Sequence, residues 1–270
     1  MARLREQAGH IRLIATDLDG TLLGPSSDLT ERTVRAVRMV RERGIAFTIC
    51  TGRSFYELED LPKILGLDTP VICRNGAEIV DPASGKTLFR RLIPEGEGAA
   101  FMRLCVAEGI DVCLTTEDTV YLPRGSALES WFENVRGAKV LPLDSETVLE
   151  GLAYYKIVLI RDQPKYAQAR AFGDNLPGVR TIGAADEIDD LIAKDANKGD
   201  GLRWVAEHLG IDRAACCAFG DYANDVPMLQ YAGLSFAMEN APVDVRALAS
   251  FTAPPNTADG VAQVLETLFG

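Results

Sequence analysis

Histidine is scarce in this chain, and its scarcity narrows the chemistry that the protein can perform. Of 270 residues only two are histidines, His10 and His208. A metal site with several imidazole ligands, as found in many zinc enzymes, is therefore excluded. Metal-assisted chemistry, if the chain performs any, must be sought among its other side chains.

The sequence also lacks a long apolar segment. No apolar run approaches the roughly 20 residues that span a bilayer, so no membrane span is predicted. Arg3 and Arg5 stand near the N-terminus with no apolar stretch after them, so no signal peptide is predicted. The six cysteines are scattered and none forms a CxxC motif, a pattern typical of reduced thiols that behave as small apolar side chains. We therefore expect a cytoplasmic protein with no membrane partner.

Basic residues are outnumbered by acidic ones. The chain has 28 Lys and Arg against 39 Asp and Glu, which gives a net charge of -11. Proteins that bind the phosphate backbone of nucleic acids gather Lys and Arg on one face, so no nucleic-acid partner is predicted. An anionic substrate must instead be attracted by local positive groups. The sequence leaves the oligomeric state open.

Two carboxylates follow the first apolar stretch. Residues 13–16 (LIAT) predict a buried strand, and Asp17 and Asp19 come directly after it. Open α/β sheets bind ligands just beyond the carboxyl ends of their strands. Two carboxylates on the same side of an extended backbone repel each other unless a cation or a shared proton lies between them. The pair therefore implies a hard divalent cation, usually Mg²⁺. The alternative is a turn that favours Asp and Gly for backbone reasons alone.

Strands and helices alternate near the start of the chain. Buried strands are predicted over residues 13–16, 45–50 and 71–73. Between the first two, Asp28 with Glu31 predicts a capping box that opens a helix. This alternation predicts an α/β fold with a doubly wound, Rossmann-like parallel sheet.

The pattern changes between residues 86 and 187, which we predict to form an inserted α+β cap domain. The doubly wound pattern then returns, so residues 1–85 and 188–270 are predicted to form one discontinuous catalytic core. Within the cap we expect strands at 87–93, 111–115, 119–122, 152–160 and 179–182, and helices at 96–108, 126–135 and 164–175.

Polar residues recur where predicted strands end or a helix begins. Besides Asp17 and Asp19 these residues are Thr51, Gly52, Lys198, Asp221, Asn224 and Asp225. Strand ends of a parallel sheet share one edge, so the residues can converge there. The acids would hold Mg²⁺, and the ammonium and the hydroxyl would hold phosphate oxygens. A carboxylate could then attack phosphorus. The arrangement predicts metal-assisted phosphoryl transfer.

The same motifs, in this order, resemble those of the haloacid dehalogenase superfamily. They are residues 17–22 (DLDGTL), 51–53 (TGR), 198–199 (KG) and 220–225 (GDYAND). The chain looks most like the Cof-type branch, subclass IIB, whose members are mainly phosphatases of small metabolites. Residues 75–77 (NGA), the long insert and residues 238–241 (MENA) are similar to that branch as well.

The resemblance covers the whole chain and implies a role for each matched residue. Asp17 would be the nucleophile and Asp19 the general acid and base. Thr51 and Lys198 would hold the transferring phosphoryl group. Mg²⁺ would be bound by Asp17, the backbone carbonyl of Asp19 and Asp221. The full set of candidates is Asp17, Asp19 and Lys198 for catalysis; Thr51, Gly52, Arg53, Asn75, Lys198 and Asn224 for phosphate or substrate; and Asp17, Asp19, Asp221, Asn224 and Asp225 for the metal.

Two assignments stay open at this point. Lys194 lies close to Lys198 in sequence, and Lys198 is preferred because Gly199 and a helix start follow it. Arg53 either contacts the substrate or pairs with an acid.

The expected function is a Mg²⁺-dependent phosphatase, a phosphoric monoester hydrolase, that acts on a phosphorylated small metabolite such as a sugar phosphate. An aspartyl phosphate would be its intermediate. A phosphomutase is the alternative, because similarly capped relatives share the four motifs. A catalytically silent binding module is less well supported, because a decayed site should have lost at least one of these side chains. The sequence does not identify the substrate or the cap residues that contact it.

Overall fold

The computed structural model describes residues 8–133, 138–144, 147–185 and 187–270. The chain divides into two compact units. The first combines the residues up to Arg53 with Asp60–Phe89 and Asn197–Gly270, and the second combines Ser54–Glu59 with Arg90–Ala196.

Strands and helices alternate through most of the described chain. The strands are β1 (Leu13–Thr16), β2 (Ala46–Ile49), β3 (Val71–Cys73), β4 (Glu78–Val80), β5 (Thr87–Arg90), β6 (Val112–Thr115), β7 (Thr119–Leu122), β8 (Lys139–Pro142), β9 (Lys156–Ile160), β10 (Val179–Ala185), β11 (Ile188–Ala193), β12 (Cys216–Gly220), β13 (Leu234–Met238) and β14 (Phe251–Ala253). The helices are α1 (Glu31–Glu42), α2 (Leu61–Ile64), α3 (Glu95–Glu108), α4 (Glu129–Glu133), α5 (Tyr166–Asp174), α6 (Lys198–His208), α7 (Val226–Tyr231), α8 (Val243–Arg246) and α9 (Gly260–Phe269).

The first unit is built on a parallel sheet of five strands in the order β14-β13-β12-β1-β2. Every residue of β1 is buried, as expected for a parallel strand covered on both faces. Thr16, the last residue of β1, pairs with Ile49 on one side and with Phe219 on the other. The carboxyl ends of β1, β2 and β12 therefore lie together, and the residues that follow them share one edge of the sheet.

The predicted third strand is present at residues 71–73, but it pairs differently from the expectation. β3 runs antiparallel to β4 in a three-stranded sheet with β5. Its link to the parallel sheet is one parallel bridge between Ile72 and Cys50. The chain reverses directly after β3 through a tight turn, whereas a parallel neighbour requires a long crossover connection.

Helix α1 begins two residues later than the predicted capping box. Thr30 is its N-cap, and the Thr30 hydroxyl accepts a hydrogen bond from the Thr33 amide at 3.1 Å. The prediction that Asp28 caps this helix is wrong, because Asp28 lies in the preceding turn and its carbonyl accepts the Gly24 amide at 3.0 Å.

The second unit contains a sheet of six strands in the order β10-β11-β9-β6-β7-β8, antiparallel except between β7 and β8. Alternate residues of its strands point to opposite faces, each with its own core. Val112 and Leu114 pack in a cluster with Phe101 of α3, and Cys113 packs in a second cluster with Tyr56. Residues 54–59 thus complete one face of this sheet.

The unit boundaries differ from the predicted ones, which lie after residues 85 and 187. β11 pairs with both β9 and β10, so residues 188–193 belong to the sheet of the second unit. Strands β8, β11 and β14 were not predicted, and of the helix predicted at 126–135 the structure shows Glu129–Glu133 while residues 134 and 135 lie outside the described ranges. The predicted class, an α/β fold with a Rossmann-like parallel core and an inserted α+β unit, is confirmed.

Two observations concern the expectations about membrane spans and cysteines. Among the described residues, no helix has both the length and the apolar character needed to cross a bilayer. All six cysteines are buried and free of disulfides, as the prediction of apolar thiols requires.

Candidate active site

A tight turn directly after β1 carries the two carboxylates. The Asp17 amide donates to the Phe219 carbonyl at 2.9 Å, which extends the pairing of β1 with β12 as far as the first carboxylate. The chain then curls through residues 18–22, with Gly20 at φ 82. Glycine is required at position 20 for two reasons. Other residues disfavour its positive φ, and a Cβ there would collide with the Asp221 carboxylate. Asp17, which precedes this turn, is buried, with 5% of its surface exposed.

Lys198 reaches the buried carboxylate from the start of α6. Its ammonium lies 2.5 Å from Asp17 Oδ1 and 2.6 Å from Asp225 Oδ1. Asn197 caps the helix by accepting the Asp200 amide, and this fixes where Lys198 leaves the backbone. Gly199 is required because a Cβ there would collide with the Pro227 carbonyl. Lys198 itself is 1% exposed, so its charge is compensated by the two carboxylates.

Asp225 shapes the turn that follows β12. Its Oδ2 accepts the amides of Asp221 and Tyr222 at 2.9 and 3.0 Å, while its Oδ1 accepts Lys198. Both of its carboxylate oxygens are therefore engaged within the protein. This arrangement makes Asp225 a group that orients Lys198 and Asp221.

The carboxylates of Asp17, Asp221 and Asp225 form a group in which one oxygen from each residue lies within 4.8 Å of the other two. Three carboxylates and one ammonium leave an excess of negative charge in a buried place, which favours a bound cation. The donors are oxygens, the ligands that Mg²⁺ prefers. The residues therefore fit a hard divalent cation, with Asp17 and Asp221 best placed to hold it.

Burial and mutual repulsion shift the pKa values of these groups. Burial raises the pKa of Asp17 well above its usual range, although Lys198 opposes the shift. Burial, with Asp225 close by, raises the pKa of Asp221 to about 6. Burial alone would lower the pKa of Lys198, but Asp17 and Asp225 outweigh burial and raise it. Lys198 thus stays an ammonium at neutral pH, and burial, more than the neighbouring acids, disfavours the charged forms of Asp17 and Asp221.

Asp19 is oriented differently from Asp17. Its side chain is 51% exposed and forms an ion pair with Arg53, whose Nε donates to Asp19 Oδ2 at 2.8 Å and whose terminal nitrogen donates to Oδ1. Such a two-point contact holds the Asp19 carboxylate in one orientation. Of the two interpretations left open for Arg53, pairing with an acid is the one that the structure shows.

The remaining candidates lie in three turns of the same unit. Thr51 is buried directly after β2, and a Cβ at Gly52 would stand 3.3 Å from the Asn75 amide. Asn75 Oδ1 accepts a hydrogen bond from Asn224 Nδ2 at 2.9 Å. Asn224 Oδ1 is buried with no hydrogen-bond partner in the described part of the chain, and this leaves it available to a ligand. Lys194, the rival of Lys198, is exposed and lies in the second unit.

Two residues with clear contacts in the site were assigned no role from the sequence. The Thr21 hydroxyl donates to Asp221 Oδ1 at 2.8 Å, and Asn240 Nδ2 donates to the Gly20 carbonyl at 2.9 Å. Both stand inside motifs that carry the family resemblance. The two residues could therefore be located from the sequence, whereas the groups to which they donate hydrogen bonds could not.

Residues 14–265 match the sequence profile of the haloacid dehalogenase-like hydrolases. The chain belongs to this family. The matched segment spans every candidate site residue from Asp17 to Asp225.

The hydrolase is similar to several enzymes with assigned activities. It is 30% identical over 275 residues to pyridoxal phosphate phosphatase YbhA of Escherichia coli K12, covering 94% of this chain and 97% of that protein. It is 27% identical to 5-amino-6-(5-phospho-D-ribitylamino)uracil phosphatase YwtE of Bacillus subtilis, covering 96% of this chain and 98% of that protein. The predictions of a Cof-type member and of a phosphoric monoester hydrolase are confirmed.

Solved structures show the same fold. A haloacid dehalogenase-like hydrolase from Bacteroides thetaiotaomicron superposes with a TM-score of 0.84 at 21% identity, covering 96% of this chain and 99% of that chain. One from B. subtilis superposes with a TM-score of 0.83 at 24% identity, covering 96% and 100%. The fold of this chain is thus shared over nearly the whole length of these two structures.

Proposed function

We propose that this hydrolase is a Mg²⁺-dependent phosphatase that cleaves a phosphorylated small metabolite through an aspartyl phosphate on Asp17. The observation that carries the proposal is the contact of a buried carboxylate, Asp17, with a buried ammonium, Lys198, beside a second carboxylate, Asp221. The relatives named above act on small phosphorylated compounds, which supports this class of substrate.

The cation would be held by the carboxylates of Asp17 and Asp221, with the Asp19 carbonyl as the ligand that the resemblance implies. Asn224 and Asp225 stand beside this group. When bound, Mg²⁺ would neutralise negative charge on the phosphoryl oxygens and on the attacking carboxylate.

Asp17 and Asp19 divide the covalent chemistry between them in this proposal. In the first step an Asp17 oxygen attacks phosphorus, the bond to the leaving oxygen breaks, and Asp19, which must by then be protonated and released from Arg53, delivers its proton to that oxygen. In the second step Asp19 removes a proton from water, the water oxygen attacks phosphorus, and the bond to Asp17 breaks. Inorganic phosphate leaves and both aspartates return to their starting forms.

The other residues bind and position in this proposal. Lys198 would balance the charge of Asp17 and of the phosphoryl oxygens. The Thr51 hydroxyl and the backbone of the turn at residues 51–53 would hold those oxygens from the other side. Arg53 would hold Asp19 in place until a substrate arrives.

The proposal is tested by hydrolysis of an aryl phosphate with and without Mg²⁺. We expect activity that depends on Mg²⁺ and is lost in excess EDTA, because the acid group repels an anionic substrate without a cation. Activity that persists undiminished in EDTA would contradict the metal assignment. A phosphatase releases one phosphate for each substrate consumed, whereas a phosphomutase returns an isomer, so measuring both quantities separates these two functions.

A second test uses stability in place of activity. The Asp221 pKa of about 6 lies above the value of 3.8 usual for an Asp side chain. The stability that the folded protein has with a neutral Asp221 side chain is therefore fully present below pH about 4, and it is lost as pH rises through about 6. We expect Asp221→Asn to raise the unfolding free energy in EDTA at pH 7.5 by at most about 3 kcal/mol, with the gain vanishing at pH 4.

The same variant should lose its response to the metal. Added Mg²⁺ should raise the melting temperature of the wild type at pH 7.5 and leave that of Asp221→Asn unchanged. Asp244→Asn, which alters an exposed acid of the same unit, is the matched control and should behave as wild type in both respects. If Asp221→Asn is less stable than wild type in EDTA at pH 7.5, the inference that the charged Asp221 side chain destabilises the folded protein is wrong.

A further inference from the structure

The turn between β3 and β4 has an unusual backbone. Arg74, Asn75 and Gly76 follow one another with φ values of 50, 57 and 89. L residues disfavour this left-handed region, and two in succession, one of them arginine, are uncommon. Such a conformation persists only where its surroundings hold it in place.

A buried ion pair holds this turn. Arg74 is completely buried, and its Nε lies 3.0 Å from Oε2 of Glu78, which is itself 4% exposed. Glu78 Oε1 accepts a hydrogen bond from the Thr87 hydroxyl at 3.0 Å. The buried guanidinium thus lies against a counter-charge on β4, four residues after the left-handed turn begins.

This turn also holds the loop of residues 51–53, which the proposed function assigns to binding of the phosphoryl group. The Thr51 amide donates to the Ile72 carbonyl, the Arg74 amide to the Arg53 carbonyl, and the Asn75 amide to the Thr51 carbonyl, each at 2.9 Å. Residues 51–53 are therefore hydrogen-bonded along their length to residues 72–75.

The same turn also meets the other two parts of the site. Asn75 Oδ1 accepts the Asn224 side chain, and a Cβ at Gly76 would collide with the carbonyl of Asn197, the cap of α6 that precedes Lys198. The turn at residues 74–76 therefore contacts the loop at residues 51–53, the side chain of Asn224 and the residue that precedes Lys198.

We propose that Arg74 and Glu78 are positioning residues for phosphoryl binding. Their ion pair sets the left-handed turn, and the turn sets the distance between residues 51–53, Asn224 and the start of α6. The inference rests on the proposed function, because that function makes residues 51–53 the phosphate loop. An ion pair with a purely structural role would change stability and leave phosphate affinity in the folded protein unaltered.

The test is the double variant Arg74→Met with Glu78→Gln. Removing both charges avoids leaving either member of this pair opposite a neutral side chain, and glutamine keeps an acceptor for the Thr87 hydroxyl. We expect a folded protein in which KM for an aryl phosphate and Ki for inorganic phosphate both rise by about tenfold or more. The matched control, Arg32→Gln with Glu266→Gln, removes an ion pair of the same unit at its surface and should leave both constants unchanged.

The outcomes separate the two proposals. A wild type that does not hydrolyse aryl phosphates would refute the proposed function, and the inference with it. An active wild type together with a folded double variant whose Ki is unchanged would overturn the inference alone. If the double variant does not fold, Arg74→Lys keeps the positive charge and loses the planar Nε contact. Its Ki should rise at least about threefold while its melting temperature stays near that of wild type, and an unchanged Ki would again overturn the inference.

Discussion

Asp17→Asn is expected to abolish turnover, with kcat falling by on the order of 10⁴–10⁶, as when a nucleophile is removed from other enzymes. An amide has the shape of the carboxylate but cannot attack phosphorus at a useful rate. The fold should survive, because burial already raises the pKa of Asp17 and a neutral side chain is tolerated better than a charged one. Steady-state hydrolysis of an aryl phosphate and a thermal melt measure the two effects together.

The intermediate can be trapped directly. Rapid quenching of the wild type with labelled substrate should place phosphate on the peptide that contains Asp17. The companion variant Asp19→Asn should slow both steps, yet a good leaving group needs little protonation, so label should still reach Asp17 and then persist longer. Label on any other residue, or an Asp17→Asn enzyme that turns over, would end this mechanism.

The second large effect is expected from Lys198→Met, which should lower kcat by about 10²–10³, the usual loss for one preorganised charge. Methionine keeps most of the length of the side chain and removes the ammonium that lies between Asp17 and Asp225. Because those two carboxylates raise the pKa of Lys198, the ammonium is present throughout the neutral range. Lys198 also holds down the pKa of Asp17, so without it more Asp17 is protonated, and the loss should be larger at about pH 6 than at about pH 8. The pH profile of kcat for wild type and variant checks both statements.

Lys194→Ala provides the control for this experiment. Lys194 is exposed and lies in the second unit, so its removal should leave kcat close to that of wild type. If Lys194→Ala causes the loss and Lys198→Met does not, the lysine of the site has been assigned to the wrong position.

The convergence of the site was predictable from strand ends, but the pairing within it was not. Asp17, Lys198 and Asp225 are far apart in sequence, and they meet because parallel strands end at one edge. Which oxygen accepts which donor depends on distances that no sequence pattern encodes. The two-point contact of Arg53 with Asp19 is an example, since either partner alone resembles an ordinary surface charge.

Strand β11 shows why part of the insert was missed. Its sequence, IDDLIA, places Asp189 and Asp190 inside the sheet, where sequence patterns do not expect acids. Asp189 is held by Arg161 and Arg170, and Asp190 pairs with Lys156. These partners come from other parts of the chain, so the strand becomes recognisable only once the fold is known.

The start of α1 shows the same limit on a smaller scale. Asp28 and Thr30 are both good N-cap residues, and Asp28 with Glu31 even has the spacing of a capping box. The structure favours Thr30, whose hydroxyl also donates to Asp259 at 2.8 Å. The residue that caps α1 thus also contacts Asp259, which lies near the far end of the given sequence.

The topology of the first unit also governs when, during synthesis, the enzyme can become active. Strand β1 has β2 on one side and β12 on the other, where Leu13 pairs with Cys216. The ribosome must therefore synthesise the chain at least as far as residue 225 before Asp17 can meet both Lys198 and Asp225. Strands β6 to β11, which emerge in the interval, form one sheet among themselves and can fold first. Under the proposed function, a nascent chain would therefore hydrolyse no phosphate ester until residues 198–225 have been synthesised and have folded against β1.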